Sequence, residues 1–299
     1  MKNLNTKMEE RVSYLMLVLP ALLLYFFVMA FPTVFSVVLS LTNYRGGRVF
    51  GNPNFRIVGI AAYLEVFKDS YFYIALKNNL WIVFISVFGQ IPLGFILAYI
   101  LSRGLIKGTD FFQTMIYLPN VISTVVIGIL FSRLFLGSNS LLLEIQRFFN
   151  PMAEYIPGSN AMVPVLLVIL WMYTGFYVII FLANLQKIDP SLIEASKIDG
   201  ANEMQTLRHI ILPALSGVIV TTAILAISGS LKSFDLIFVM TGGGPARRTS
   251  VLSLYMYDKA FRGAPNYPVA NAISTIMVLI SFILIGITRS LEKRFSSGE

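Results

Sequence analysis

Five stretches of this chain carry no charged side chain: Val12 to Tyr44, Asn78 to Ser102, Phe111 to Ser132, Tyr155 to Gln186 and Gly263 to Thr288. Each is long enough to cross the roughly 30 Å hydrocarbon core of a bilayer, which takes about 20 predominantly apolar residues. A sixth runs from Ile210 to Leu231 and continues past Lys232 and Asp235 to about Met240. The pattern predicts an all-α membrane protein with six transmembrane helices, at about 14–41, 76–102, 111–136, 160–186, 210–240 and 265–289, in one membrane domain spanning 1–299.

Composition excludes the main alternatives. Of 299 residues, 56% are hydrophobic and only 13% charged, which lies outside the soluble globular class. With no cysteine there is no disulfide framework, thiolate nucleophile or cysteine metal site. The formal charge of +8 is scattered through loops and ends instead of forming one basic stripe, so nucleic acid is not expected as a partner.

The first run is too long for a signal-peptide core, lacks a small-residue cleavage site and follows Glu9, Glu10 and Arg11, so it is expected to stay in the mature chain. Pro20, Pro32, Pro92 and Pro119 are read as kinks in membrane helices and not as helix ends. Counting Lys and Arg in alternate loops gives eleven on each side, with Lys232 inside a span, so charge does not orient the chain. Three outer loops stand out. The first, from about Arg45 to Lys77, carries Tyr63, Phe67, Tyr71, Phe72 and Tyr73 and is expected to form a short interfacial helix. The second, Gly137 to Pro157, suggests another at Leu141 to Phe149. The third opens with Thr241-Gly242-Gly243-Gly244-Pro245, which should end the fifth helix.

The polar segment at 187–212 reads as a helix-turn-helix hairpin. Asp189-Pro190 supplies an N-cap and a proline at the first helical position, so a helix should run from there to about Ile198. Asp199-Gly200 stops it, because glycine takes the left-handed conformation that closes a helix. A second segment from Asn202 puts Met204, Leu207 and Ile211 on one apolar stripe, and Leu212-Pro213 leads into the fifth span. His209, the sole histidine, sits at the membrane edge of this hairpin as a polar interfacial residue.

The spacing within the hairpin is specific: Glu194-Ala195-Ser196-Lys197-Ile198-Asp199-Gly200-Ala201, then Ile210-Ile211-Leu212-Pro213. It resembles the cytoplasmic coupling loop, the EAA loop, of ATP-binding-cassette importer permeases, with Ser196 where alanine is commoner. The similarity extends from about Tyr14 to Arg294. The segment from Gly59 through Tyr63, Phe67, Asp69, Phe72 and Ala75 to Asn78 looks like the approach to the second helix in sugar-type permeases, although Ala62 replaces a frequent asparagine. Phe234-Asp235, the Gly-rich turn and Tyr255 to Phe261 are similar to the first of the two unlike subunits of maltose and glycerol-phosphate permeases.

That resemblance implies a multi-pass permease of a prokaryotic cell membrane, with both termini and the hairpin in the cytoplasm. Its implied partners are a second, unlike permease, two ATP-binding-cassette ATPase subunits and an extracellular or periplasmic solute-binding protein. The implied solute is a carbohydrate: a sugar, oligosaccharide or glycerol phosphate. Docking on the ATPase falls to Glu194, Ala195, Ser196, Asp199, Gly200, Ala201, Leu212 and Pro213, with Glu194 paired to a basic residue of the motor. The translocation path would be lined from the third, fourth and fifth helices. Candidates are Asn120 and Thr124, which share a face; Trp171, Tyr173, Phe176 and Tyr177; and Ser230 and Ser233, with Ser228 nearby. Aromatic faces suit the C–H patches of sugars, and hydroxyls exchange hydrogen bonds with them; the same residue types also serve as ordinary helix packing. Lys232 and Asp235, three apart, read as an ion pair or an interfacial lysine, with an anionic solute contact as the alternative.

Enzymatic readings find little. No G-x4-G-K-[ST] phosphate loop occurs, so ATP and Mg2+ belong to a partner and no cofactor is expected here. No H-E-x-x-H metal motif is present. An intramembrane serine protease would need a histidine base in the membrane, and His209 lies in a loop. A secondary transporter or channel is the remaining rival; it would not require the hairpin and would use relays of buried carboxylates, of which the spans hold only Asp235.

Overall fold

The computed structural model describes residues 2–47, 55–104, 106–135, 140–149 and 161–296. In chain order the helices are α1 (Lys2–Tyr25), α2 (Phe31–Ser40), α3 (Ala61–Lys68), α4 (Ser70–Ile85), α5 (Ile91–Ser102), α6 (Thr109–Val121), α7 (Thr124–Phe135) and α8 (Leu141–Phe149). They continue as α9 (Met162–Leu185), α10 (Pro190–Ile198), α11 (Glu203–Thr206), α12 (Leu212–Ala214), α13 (Ser216–Leu231), α14 (Asp235–Thr241), α15 (Leu252–Phe261) and α16 (Tyr267–Ser296). Among the described residues the only β pairing is a single bridge between Thr42 and Ile57.

Four spans are continuous: Val12–Ser40, Ser70–Ser102, Met162–Leu185 and Tyr267–Ser290. The third and fifth runs, expected as single helices, are instead bent pairs. α6 and α7 meet at 92°, and the segment Glu203–Ala214 meets α13 at 65°. Pro119 therefore precedes an end and not merely a kink. Immediately past Val121, Ile122 leaves helical space at φ −71°, ψ 142°, and Ser123 restarts the ladder by accepting the N–H of Ile127. The fifth run breaks again, since α13 stops at Leu231 and α14 begins only at Asp235.

Three other prolines share one local device. Pro32, Pro92 and Pro213 each occupy the second position of a helix that follows a five-residue π-helical turn, at Phe26–Ala30, Ser86–Gln90 and Leu207–Ile211. A proline inside a helix lacks an N–H and its ring collides with the carbonyl four residues back. Widening the turn removes the collision. The residue before each proline then donates five residues back, Phe31 to Phe26, Ile91 to Ser86 and Leu212 to Leu207.

The chain forms two compact units, residues 1–68 with 256–276 and residues 69–255 with 277–299. In the first, the polar positions of α2 are anchored within the unit. Ser36 donates to Asn271 Oδ1 at 2.5 Å, and Ser40 Oγ lies 2.7 Å from the Tyr63 hydroxyl. Tyr44 and Tyr267 pack ring to ring at 5.8 Å. No residue in the apolar window of the first span is buried.

The second unit is built around α9, which is apolar all round and mostly buried, as a central bundle helix must be. α5 and α6 pack along it, and α7 packs on α14. Small residues set the closest approaches. A Cβ at Gly94 would lie 2.8 Å from that of Tyr177, and one at Gly175 would strike the carbonyl of Ile116. The outer aromatic segment is not one interfacial helix: Tyr63 and Phe67 belong to α3, whereas Tyr71 to Tyr73 open α4, whose N-cap Asp69 accepts from Tyr71 N. The helix expected at Leu141 to Phe149 is present as α8, while 150–157 lies outside the described residues. Gly242, at φ +59°, closes α14 as the Gly-rich turn implied.

Candidate functional site

The hairpin closes by local chemistry. Asp189 caps α10 by accepting the Ser191 N–H at 2.9 Å, and Pro190 is the first helical residue. That N–H bond, and then the Ser191 hydroxyl, hold the Asp189 carboxyl below its ordinary range. At the other end Gly200 adopts φ +78°, Ala201 N bonds Ser196 O at 2.9 Å and Gly200 N bonds Lys197 O at 3.1 Å, the paired bonds of a glycine-closed helix end. Asn202 then opens α11 with a reciprocal capping box: its side chain accepts from Gln205 N, and Gln205 Oε1 accepts from Asn202 N.

The two arms are joined inside the elbow. Ser196 is buried, donates to Ile193 O at 2.8 Å and lies 3.1 Å from the Thr206 hydroxyl. The position that departs from the alanine of the importer pattern therefore has a complementary hydroxyl ten residues on. Glu194, Ala195 and Asp199 are exposed along the outer side of α10 and its cap, with Leu192 and the 86%-exposed Ile198 beside them. The expected apolar stripe is only partly buried. Ile211 is fully covered and Leu207 half-buried, but Met204 is 68% exposed, because the π-helical turn after Thr206 rotates the register between them. Leu212 and Pro213 form α12, and His209 is exposed with Nδ1 3.0 Å from Gln205 O.

At the other end of α13 lies a cavity of about 460 Å³. Its wall takes Ile82, Ser86 and Gln90 from the second span, Asn120 from α6, Ile169, Tyr173, Phe176 and Tyr177 from α9, and the stretch around the α13–α14 break from Leu225 to Leu236. Six of the eight path candidates meet here: Asn120, Tyr173, Phe176, Tyr177, Ser230 and Ser233. Thr124, four residues on from Asn120, is not in the wall. Trp171 is not in the wall; it faces outward, 48% exposed, with its ring 5.3 Å from Phe131. Two residues of helix turn a side chain through about 200°, so Trp171 and Tyr173 take opposite faces of α9 and aromatic content alone could not sort them.

The break itself is held by side-chain amides and hydroxyls. Asn79 donates to Ser230 O at 2.9 Å and accepts from Leu252 N at 2.7 Å; Ser253 donates to Ser233 O. These supply partners for carbonyls that an interrupted helix leaves open. Ser230 reaches Ser86 at 3.1 Å, and Gln90 donates to Ile169 O at 2.7 Å. Sequence reasoning missed Ser86 and Gln90, although their spacing of four places both on one face of an otherwise apolar run. Of the readings for Lys232 and Asp235, the ion pair is absent, since they are not paired with each other among the described residues; both are exposed and line the cavity.

Residues 90–297 match the model of the family described as "Binding-protein-dependent transport system inner membrane component". The chain is 32% identical over 281 residues to "Probable ABC transporter permease protein YurN" of Bacillus subtilis, covering 91% of this chain and 93% of that one. It is 34% identical to "Lactose transport system permease protein LacF" of Rhizobium radiobacter, covering 89% of each. The fold is that of a chain in a bacterial ABC transporter involved in the import of alginate, with TM-score 0.79, 22% identity and coverage of 98% of this chain and 99% of that one.

Proposed function

Because the chain belongs to the family of binding-protein-dependent transport system inner membrane components, we propose that it is one of two unlike permeases in an ATP-driven importer of carbohydrate. The observation that carries this reading is the placement of two features on one helix: the capped hairpin enters α13 at its start, and the cavity surrounds its end. The hairpin docks on a cytoplasmic ATPase through Glu194, Ala195, Ser196, Asp199, Gly200, Ala201, Leu212 and Pro213. Exposed Glu194 offers a charged group, and Leu192 and Ile198 offer apolar area beside it. ATP and Mg2+ are bound by two such ATPase subunits, which places the hairpin and both termini in the cytoplasm.

The cavity is half of the translocation path, the other half coming from the second permease. Tyr173, Phe176 and Tyr177 give ring faces, and Asn120, Ser230 and Ser233 give hydroxyls and an amide, a set suited to sugar C–H patches and hydroxyls. Support for a saccharide also comes from relatives named for lactose, multiple sugars and xylose or arabinose. A binding protein delivers the solute from outside, as in the solved complex of an alginate transporter with a saccharide-loaded periplasmic protein. The ammonium of Lys232, which has no ion-pair partner among the described residues, favours a second reading for the solute, an acidic saccharide.

The test is reconstitution of the four-subunit complex in liposomes, with uptake of radiolabelled neutral and acidic saccharides followed in the presence of binding protein. Uptake that needs ATP inside and binding protein outside is the expected result. Saccharide flux that persists without ATP, driven by an ion gradient, would reassign the chain to secondary transport.

A further inference from the structure

The hairpin has a second attachment besides its covalent entry into α12 and α13. Glu203, the first residue of α11, places Oε2 2.8 Å from Arg103 Nη2 and 2.8 Å from the Tyr99 hydroxyl, which donates to it. Arg103 Nε also donates to the Tyr99 hydroxyl at 3.3 Å, and the guanidinium sits 5.5 Å from that ring's centre. The three groups thus close a triangle between the last turn of α5 and the first turn of α11, a hundred residues apart in sequence.

Its two sides are differently fixed. The Arg103 side chain is only 19% exposed, whereas that of Glu203 is 68% exposed, so the arginine is the packed partner and the carboxylate the solvent-facing one. Glu203 also sits at a helix N-terminus, where a carboxylate is favoured by the helix dipole. Behind the triangle the packing continues into the core. The Tyr99 ring lies 6.2 Å from Phe95, and Phe95 lies edge-on 5.5 Å from Phe181, a fully buried residue of α9.

We infer that Arg103, Tyr99 and Glu203 form a latch that clamps the second arm of the hairpin to the inner end of the second span. Displacement of the hairpin is then delivered to α5 and α9 as well as to α13. Through the Ser196–Thr206 pair the first arm is carried along, so both walls of the cavity move with one input. Arg103 and Glu203 are positioning residues on this account; neither touches solute or nucleotide. The inference rests on the importer reading for its consequence but not for its geometry.

Two readouts on the reconstituted complex separate these. Hydrogen exchange over residues 203–207 reports the latch itself. Glu203→Gln and Arg103→Met should each accelerate it roughly two- to fivefold, the range for a partly exposed ion pair, and the exchanged pair Arg103→Glu with Glu203→Arg should restore about half of the protection or more. Saccharide taken up per ATP hydrolysed reports the consequence, and should fall in both single variants and recover in the exchanged pair. Unchanged exchange in the single variants, or an exchanged pair no better than either of them, overturns the latch. Altered exchange with an unaltered uptake ratio overturns its role in delivering motion. A wild-type complex without ATP-driven uptake overturns the importer reading instead, while the exchange measurement still decides the latch.

Discussion

The Ser196 hydroxyl has a specific consequence for hairpin stability. It donates to Ile193 O, so the Thr206 hydroxyl depends on Ser196 for its partner, and both groups are buried. Replacing Ser196 by alanine strands Thr206, a destabilisation of about 1 kcal/mol; replacing Thr206 by valine removes the dependent group and should cost less. A double-mutant cycle on thermal unfolding of the complex checks this, with the double variant less damaged than the sum of the two. The cap at Asp189 gives a pH dependence. Its carboxyl is depressed in the folded hairpin, so its stabilisation is full above the unfolded carboxylate range and is lost as pH falls through the folded value. The protection of the Ser191 amide, its exchange measured relative to the intrinsic rate at each pH, should fall on acidification in the wild type and lose that dependence in Asp189→Asn. The caps Asp189 and Gly200 were legible because they act within three or four residues. The Thr206 partner was not, since it is created by hairpin closure. Nor was the cavity exposure of Lys232 and Asp235, because a helix break removes the spacing that would have paired them.

At the scale of elements, the six apolar runs determine where the chain crosses, and the prolines hold more information than a count of kinks uses. At Pro32 and Pro92 a π-helical turn precedes the proline and the span stays continuous; the same turn precedes Pro213, but that segment bends against α13, and Pro119 lies within α6, which ends two residues later at Val121. The 92° bend falls in an uncharged run whose only sequence mark is Pro119, the same mark carried by the continuous spans, which is why it was invisible there. Helix proximity gives a sharper prediction. The backbone of α6 crosses α9 at Gly175 so closely that a Cβ would meet the Ile116 carbonyl and lie 2.9 Å from Tyr117 Cα, with no flexible side chain to yield. Gly175→Ala should therefore force α6 from α9 at a cost of roughly 1–3 kcal/mol. Because Asn120 lies about one turn from that crossing, the same variant should enlarge the cavity and weaken saccharide-dependent stimulation of ATP hydrolysis, measured on the detergent-solubilised complex. A Gly175→Ala complex with wild-type melting and stimulation would show that the helices do not meet there.

For the whole molecule, the mechanical question is how far a push at the hairpin can travel before it is absorbed. α13 has 16 residues, about 24 Å at 1.5 Å per residue, and its two ends are the bend at Leu215 and the break at Lys232–Phe234. A stiff rod of that length spans most of the hydrocarbon core, so displacement delivered through the bend to Ser216 would reappear at Ser230 beside the cavity. The break is where it would be converted: Asn79 holds the Ser230 carbonyl just before it and Ser253 the Ser233 carbonyl within it. Neither charge bias nor composition shows which way the rod points; the proposed docking of the hairpin on a cytoplasmic ATPase is what orients it. If the proposed docking holds, the decisive substitution is Glu194→Ala on the exposed side of α10, which would remove the charged contact to the ATPase without touching a buried group. Deleting one partner of a charge pair in a desolvated interface costs about 2–5 kcal/mol, so uptake should fall at least about tenfold while the chain still inserts and α10 stays folded. Gly200→Ala should reach the same end by another route. At a φ of +78° an L-residue is disfavoured by about 1–2 kcal/mol and the elbow opens, so hydrogen exchange of α10 should rise as uptake falls. Wild-type uptake in Glu194→Ala would mean that force enters this bundle elsewhere.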